Sequence, residues 1–195
     1  MGRLSYGKRI ALVVASVLLV TGAAVAVWGF DSPFWEWNSK IKIERDPQPP
    51  FQIDPDQPYE ITLWELALPG VSEQERVIHS DGRVVATRNR YAVVGSEGRR
   101  VTETATFTIP PEARTEILDA VGANRIMRLH RSYTYTDMFD GCWRGIAIKQ
   151  GGRVKAIGCR NYFPEEFERF RRQVETILSG YQENVKWQEV KWPER

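Results

Sequence analysis

Hydrophobic residues predominate at residues 10–30, where 21 consecutive positions carry no charge. At a rise of about 1.5 Å per residue, a helix of this length covers roughly 30 Å, the thickness of the hydrocarbon core of a bilayer. The charged residues among the nine that precede it are Arg3, Lys8 and Arg9, all basic, which predicts that residues 1–9 stay in the cytoplasm. The pattern therefore predicts a single transmembrane helix in the cell inner membrane, with the C-terminal domain in the periplasm.

Two groups of residues in and after this run predict contacts within a membrane. Small residues share one face of the helix and would admit a neighbouring helix: Ala11, Ala15, Gly22, Ala26 and Gly29. Aromatic residues collect where the helix would leave the lipid and predict a membrane-interface group: Trp28, Phe30, Phe34, Trp35 and Trp37. The alternative is a cleaved signal peptide, because Ala24-Val25-Ala26 fits a cleavage site, but the apolar run continues beyond that motif.

Residues 31–58 are predicted to form an extended linker. They hold six of the chain's eleven prolines: Pro33, Pro47, Pro49, Pro50, Pro55 and Pro58. Proline has no amide donor and restricts the residue before it, so regular pairing is not expected here. The linker would act as a semi-rigid spacer or as a strap laid across a partner; its apolar residues Ile41, Ile43, Phe51 and Ile53 favour the strap.

From residue 59 the pattern becomes that of a folded domain, predicted to span 59–182. One hairpin is indicated around Ser80-Asp81-Gly82 and a second around Gln150-Gly151-Gly152, because glycine between apolar runs favours tight turns. Apolar residues at helical spacing follow Pro110 and Pro164, which predicts a helix after each proline. The expected fold is α+β: the N-terminal transmembrane helix, then an antiparallel sheet covered on one face by two helices.

The last residues, 183–195, form a short tail that contains Trp187 and Trp192. Tryptophan is enriched at binding hot spots, so the tail is a candidate docking segment. The alternative is that the tail folds back on its own sheet.

The order of these elements resembles an uncharacterised bacterial exported domain of unknown function. The resemblance rests on the Ser80-Asp81-Gly82 turn, the Pro110 helix, Tyr135-Thr136-Asp137, the second hairpin and the Pro164 helix. It implies an exported or membrane-anchored domain and no catalytic residues. The chain lacks the lipobox cysteine that lipoprotein members of this group carry.

Cys142 and Cys159 are the two cysteines of the chain and stand at opposite ends of the second hairpin. Outside the cytoplasm such a pair is usually oxidised, so the sequence predicts a structural disulfide between them. Free thiols are the alternative. A redox-active pair is not expected, because the C-x-x-C spacing is absent.

Few residues offer catalytic or metal-binding chemistry. His79 and His130 stand far apart, without further ligands at zinc-site spacing. Asp137 and Asp140 fit turn chemistry better than a calcium site or an acid–base pair. The sequence therefore predicts no catalytic, cofactor-binding or metal-binding residue, and no enzyme.

The charge of the chain is nearly balanced, with 27 basic and 25 acidic residues, which argues against a nucleic-acid partner. Arginine nevertheless outnumbers lysine by 20 to 7. Five arginines are candidates to gather near the second hairpin, where they would contact a partner's acidic surface or phospholipid head groups: Arg125, Arg128, Arg131, Arg144 and Arg160. The alternative, which the sequence favours, is a solvated face without a partner.

Together these patterns predict a non-catalytic single-pass membrane protein with an extracytoplasmic domain. It would be an accessory or scaffolding subunit of a larger integral membrane complex, for example a respiratory or photosynthetic one. Its expected partners are integral membrane subunits and the lipid bilayer, with no cofactor. The alternative is an envelope-anchored module that binds a small molecule, peptide or glycan in an aromatic pocket near Tyr133, Tyr135 and Trp143.

Overall fold

The computed structural model divides the chain into two units, Met1–Ile41 and Lys42–Arg195. It describes residues 40–67, 72–94, 97–138, 141–183 and 185–190, almost all of them in the second unit. Within these ranges no helix is both long enough and apolar enough to cross a membrane. That finding contradicts the predicted inner-membrane location and membrane-spanning architecture. The run at 10–30, with its packing residues from Ala11 to Gly29 and its interface aromatics from Trp28 to Trp37, lies outside the described residues.

The described residues form nine strands, two α-helices and one turn of 3-10 helix. The strands are β1 (Ile41–Glu44), β2 (Tyr59–Ala67), β3 (Ser72–His79), β4 (Arg83–Val94), β5 (Glu97–Thr108), β6 (Ser132–Tyr135), β7 (Trp143–Gln150), β8 (Arg153–Arg160) and β9 (Gln188–Glu189). The α-helices are α1 (Pro111–Ala123) and α2 (Glu165–Gln182), and the 3-10 helix covers Ile126–Arg128.

All nine strands belong to one sheet, in the order β1-β6-β8-β7-β2-β3-β4-β5-β9. The prediction of an antiparallel sheet is wrong, because β6 pairs with β8 in parallel and makes the sheet mixed. The cause is the placement of the β7–β8 hairpin. Since β8 inserts between β6 and β7 and must run opposite to β7, it runs in the same direction as β6.

The hydrophobic core lies between one face of the sheet and the two helices. Strand residues alternate between the two faces, and the core face carries Ile61 and Leu63 of β2 and Ile146 of β7, all nearly inaccessible to solvent. Helix α2 contributes Phe167 and Phe170 to the same cluster, both fully buried. In the part of the chain that the structure describes, sheet exceeds helix, and the two helices cover the nine strands only loosely.

The described part of the linker lies against this domain. Phe51 and Ile53 pack on the core cluster, and the Gln150 side chain bonds to the linker backbone at Asp54 and Gln57. Phe51 and Ile53, both half-buried, thus find partners within the chain, while Ile43 is half exposed.

Candidate functional site

A groove of about 900 Å³ runs between the linker and the C-terminal end of α1. Its floor is apolar and consists of Phe51 from the linker, Leu118 and Val121 from α1, and Met127 from the 3-10 helix. Val121 is buried, and the other three are half-buried. A concave apolar surface with a few polar groups at its margin is the usual form of a binding site.

Two arginines, Arg125 and Arg128, form the basic rim of this groove, and both are exposed. Neither has an ion-pair partner among the residues that the structure describes. The polar margin also includes Thr115 and Asp119. Two cations against one carboxylate give this margin a net positive charge.

Arg125 is held in an unusual backbone conformation by the end of α1. Its φ of 53° and ψ of 32° place it in the left-handed region, and its amide donates to the carbonyl of Gly122 at 3.0 Å. Glycine is the usual residue at the position after a helix end, because a Cβ atom is disfavoured there. Helix α1 ends at Ala123, and the left-handed position falls on Arg125.

A second charged cluster lies beneath α2. Glu65 of β2 accepts from Arg144 at 3.3 Å and from Arg171 at 3.0 Å, while Glu168 accepts from Arg144 at 2.8 Å. Burial acts to lower the pKa of Arg144, but the hydrogen bond to Glu168 and the charge of Glu65 outweigh it and raise that pKa. The charges are matched within the cluster, so it joins α2 to the sheet rather than offering a site for a ligand.

The predicted disulfide is absent, and Cys142 and Cys159 are both free thiols. The two-residue turn at Gly151-Gly152 sets a register in which Arg144 faces Cys159. Cys142 lies opposite Asn161 instead, whose amide donates to its carbonyl. The cysteines are therefore diagonal neighbours, which in a sheet are about 7–8 Å apart, while a disulfide requires a Cβ–Cβ distance of roughly 3.5–4.5 Å.

Two of the aromatic residues named for the alternative binding pocket, Tyr133 and Trp143, contact neighbouring groups. Tyr133 is buried, and its hydroxyl accepts from the amide of His130 at 2.9 Å. Trp143 lies on the surface with Arg160 4.8 Å from the centre of its ring. The aromatic pocket named as the alternative stays a prediction.

The candidate acids and histidines are not brought together. His79 lies beside Glu60, with 3.9 Å between Nδ1 and Oε2, and His130 is on another part of the domain. Asp137 is exposed, and Asp140 lies outside the described residues. Within the described ranges no three histidine, cysteine or acidic side chains could hold a metal ion.

The five arginines singled out from the sequence belong to separate surroundings. Arg144 and Arg160 lie on β7 and β8 and engage neighbouring side chains. Arg125 and Arg128 lie on the groove, and Arg131 is exposed. The groove is formed by the end of α1, the 3-10 helix and the linker. Because the linker is distant from the other two in the sequence, the spacing of residues along the chain did not reveal the groove.

A scan against protein-family models and a search of curated proteins both find no match to this chain. The resemblance to an uncharacterised exported domain thus stays a prediction.

Proposed function

We propose that this protein is a non-catalytic binding domain, an accessory or scaffolding subunit that holds an acidic segment of a partner protein in the groove beside α1. The observation that carries the proposal is the left-handed conformation of Arg125 at the groove margin. A residue other than glycine costs about 1–3 kcal/mol in such a conformation. Because this conformation lowers the stability of the fold, an arginine at this exposed position indicates that its guanidinium serves in binding.

The chemistry of the groove defines the partner. Phe51, Leu118 and Met127 offer apolar surface to one or two aliphatic or aromatic side chains. Arg125 and Arg128 offer planar, multi-donor groups that suit carboxylates. The segment that fits is therefore an apolar side chain flanked by aspartate or glutamate.

Selection from a random displayed-peptide library on the immobilised full chain tests this proposal. We expect the selected peptides to carry Asp or Glu on both sides of Leu, Ile or Phe, and their affinity to fall as salt rises. Arg125→Glu and Arg128→Glu should each weaken binding about tenfold or more, since a hydrogen bond to a charged group contributes about 1.5–3 kcal/mol.

Arg172→Glu is the matched control, because Arg172 is exposed on α2 and outside this groove. It changes the net charge equally and should leave peptide affinity unchanged. The proposal fails if the selected peptides have no acidic preference, or if Arg172→Glu weakens them as much as Arg125→Glu. It also fails if inorganic polyphosphate or a single-stranded oligonucleotide displaces them and binds more tightly, since the groove would then be a phosphate site.

A further inference from the structure

The outer edge of β5 is partly occupied by the chain's own C-terminal tail. β9 pairs with Glu103 and Thr104 of β5, and the amide of Val190 donates to the carbonyl of Thr102 at 2.8 Å. β5 has twelve residues, and β9 pairs with two of them. Among the described strands, no other pairs with this edge. An open edge can bind an extended segment through main-chain hydrogen bonds.

One side chain of the tail is anchored specifically. The guanidinium carbon of Arg88 lies 4.0 Å from the centre of the Trp187 ring. Arg88 also donates to Glu103 at 2.8 Å, and the side chain of Glu103 is only 10% exposed. The carboxylate fixes the guanidinium in place, so the pair presents a preformed cation to an aromatic ring.

The tail is held weakly beyond this anchor. Lys186, Gln188 and Glu189 are exposed, and a two-residue pairing with few buried contacts opens at low free-energy cost. The tail can therefore leave the edge without unfolding the core.

The tail sequence contains two copies of one short element, Val185-Lys186-Trp187-Gln188-Glu189 and Val190-Lys191-Trp192-Pro193-Glu194. Only the first copy fits the edge. The second copy has proline in place of Gln188, and proline has no amide to donate to the edge.

We propose that the outer edge of β5, with Arg88 and Glu103 as its aromatic anchor, is a strand-addition site whose partner is the tail of a second copy of this chain. Every copy carries both the site and its ligand, so exchange of tails makes the same contacts between chains that one chain makes within itself. A tethered tail has an effective concentration in the millimolar range. Exchange is therefore expected where copies are concentrated or held together.

In the full chain, the substitution Trp187→Ala removes the side chain that anchors the tail, so that the outer edge of β5 can bind an added peptide. A fluorescein-labelled peptide of residues 183–195 should bind this variant at least tenfold more tightly than it binds the wild-type chain, whose own tail competes. The peptide should lose binding with Trp187→Ala and keep it with Trp192→Ala, its matched control. Arg88→Gln, which retains a donor to Glu103, should weaken binding to the Trp187→Ala chain roughly two- to fivefold.

Chain–chain exchange is tested by adding fluorescent wild-type chain to an excess of the Trp187→Ala variant in sedimentation velocity. A complex of the two chains should form as the concentration of the variant approaches the millimolar effective concentration of the tethered tail, above the range in which the free peptide saturates. Gln188→Pro supplies a second variant with a weakened tail that retains the tryptophan. The proposal is overturned if the peptide binds the wild-type chain and the Trp187→Ala variant with equal affinity. It is also overturned if the Trp192→Ala peptide loses as much affinity as the Trp187→Ala peptide, or if no chain–chain complex forms.

Discussion

The ammonium of Lys155 lies 2.8 Å from the carboxylate of Asp46 and also donates to the carbonyl of Leu129. Lys155 is on the core face of β8, and only 4% of its side chain is exposed. Asp46 belongs to the linker, 109 residues earlier in the chain. A buried cation is costly unless it is paired, so this contact holds the linker against the sheet.

Asp46→Asn should lower the free energy of unfolding by about 3 kcal/mol at neutral pH, because it leaves a buried ammonium without its counter-charge. The hydrogen bond from Lys155, and after it that from the amide of Gln48, lowers the pKa of Asp46 below its ordinary value of 3.8. A lowered pKa stabilises the folded state above the unfolded pKa, and this contribution is lost as pH falls through the folded pKa. Urea unfolding from pH 7 to pH 3 should therefore show the two proteins converging at the acid end; a constant difference would contradict this account.

Gln150→Ala should release the linker. The Gln150 amide donates to the carbonyl of Asp54 at 2.7 Å and accepts from its backbone amide at 2.8 Å, and the residue is 3% exposed. Loss of buried hydrogen bonds should cost about 2 kcal/mol and speed proteolysis within residues 46–58. Gln57→Ala, at an exposed linker position, should change stability by less than about 0.5 kcal/mol. Equal cleavage rates in the two variants would mean that the Gln150 side chain does not hold the linker against the domain.

Gly145→Ala and Gly158→Ala should have opposite effects, although the two glycines face each other across β7 and β8. A Cβ atom at Gly145 would collide with the indole of Trp64, while one at Gly158 would have no neighbour within 4 Å. We expect Gly145→Ala to destabilise by about 1–3 kcal/mol through overpacking. Gly158→Ala should be neutral or stabilise by up to about 1 kcal/mol. Thermal unfolding of both variants checks the contrast, and a loss of stability in both would refute it.

The two thiols should titrate as separate groups without prior reduction. Burial, with the charge of Glu168 second, raises the pKa of Cys159 to about 12. Burial also raises the pKa of Cys142, with a further contribution from Glu65. Since the thiolate is the reactive form, an aromatic disulfide reagent at pH 8 should modify Cys142 slowly and Cys159 only after unfolding. In denaturant the reagent should react with two thiols per chain. If it reacts with none, Cys142 and Cys159 form a disulfide.

Arg125→Gly should raise stability while it lowers peptide binding. Glycine has no Cβ atom to strain in the left-handed conformation, so the unfolding free energy should rise by about 1 kcal/mol. The selected acidic peptides should lose about tenfold in affinity through the missing guanidinium. A combination of denaturant unfolding and fluorescence anisotropy measures both quantities. If Arg125→Gly is less stable than the wild type, the left-handed conformation of Arg125 does not lower stability, and it no longer supports a binding role for this residue.

Local sequence signals account for the turns and helix starts. Gly82 has a φ of +88° and faces the carbonyl of Ile109, while Gly151 and Gly152 both have positive φ, as the predicted hairpins require. Pro111 begins α1 with its ring in the first turn. Each of these features depends on a few neighbouring residues, so a short stretch of sequence contains the information needed to place it.

The sequence by itself determined the apolar strands, the glycine turns and the proline-led helices, because these follow from the conformational preferences of single residues. Only the tertiary structure decided that β8 lies between β6 and β7, that the thiols miss each other by two positions, and that Arg171 belongs in the helix–sheet interface. It also decided that Phe51 and Trp187 find partners within the chain. Strand order, register and burial of charge depend on contacts between distant segments, and their free energy is set by the whole sheet rather than by any local pattern.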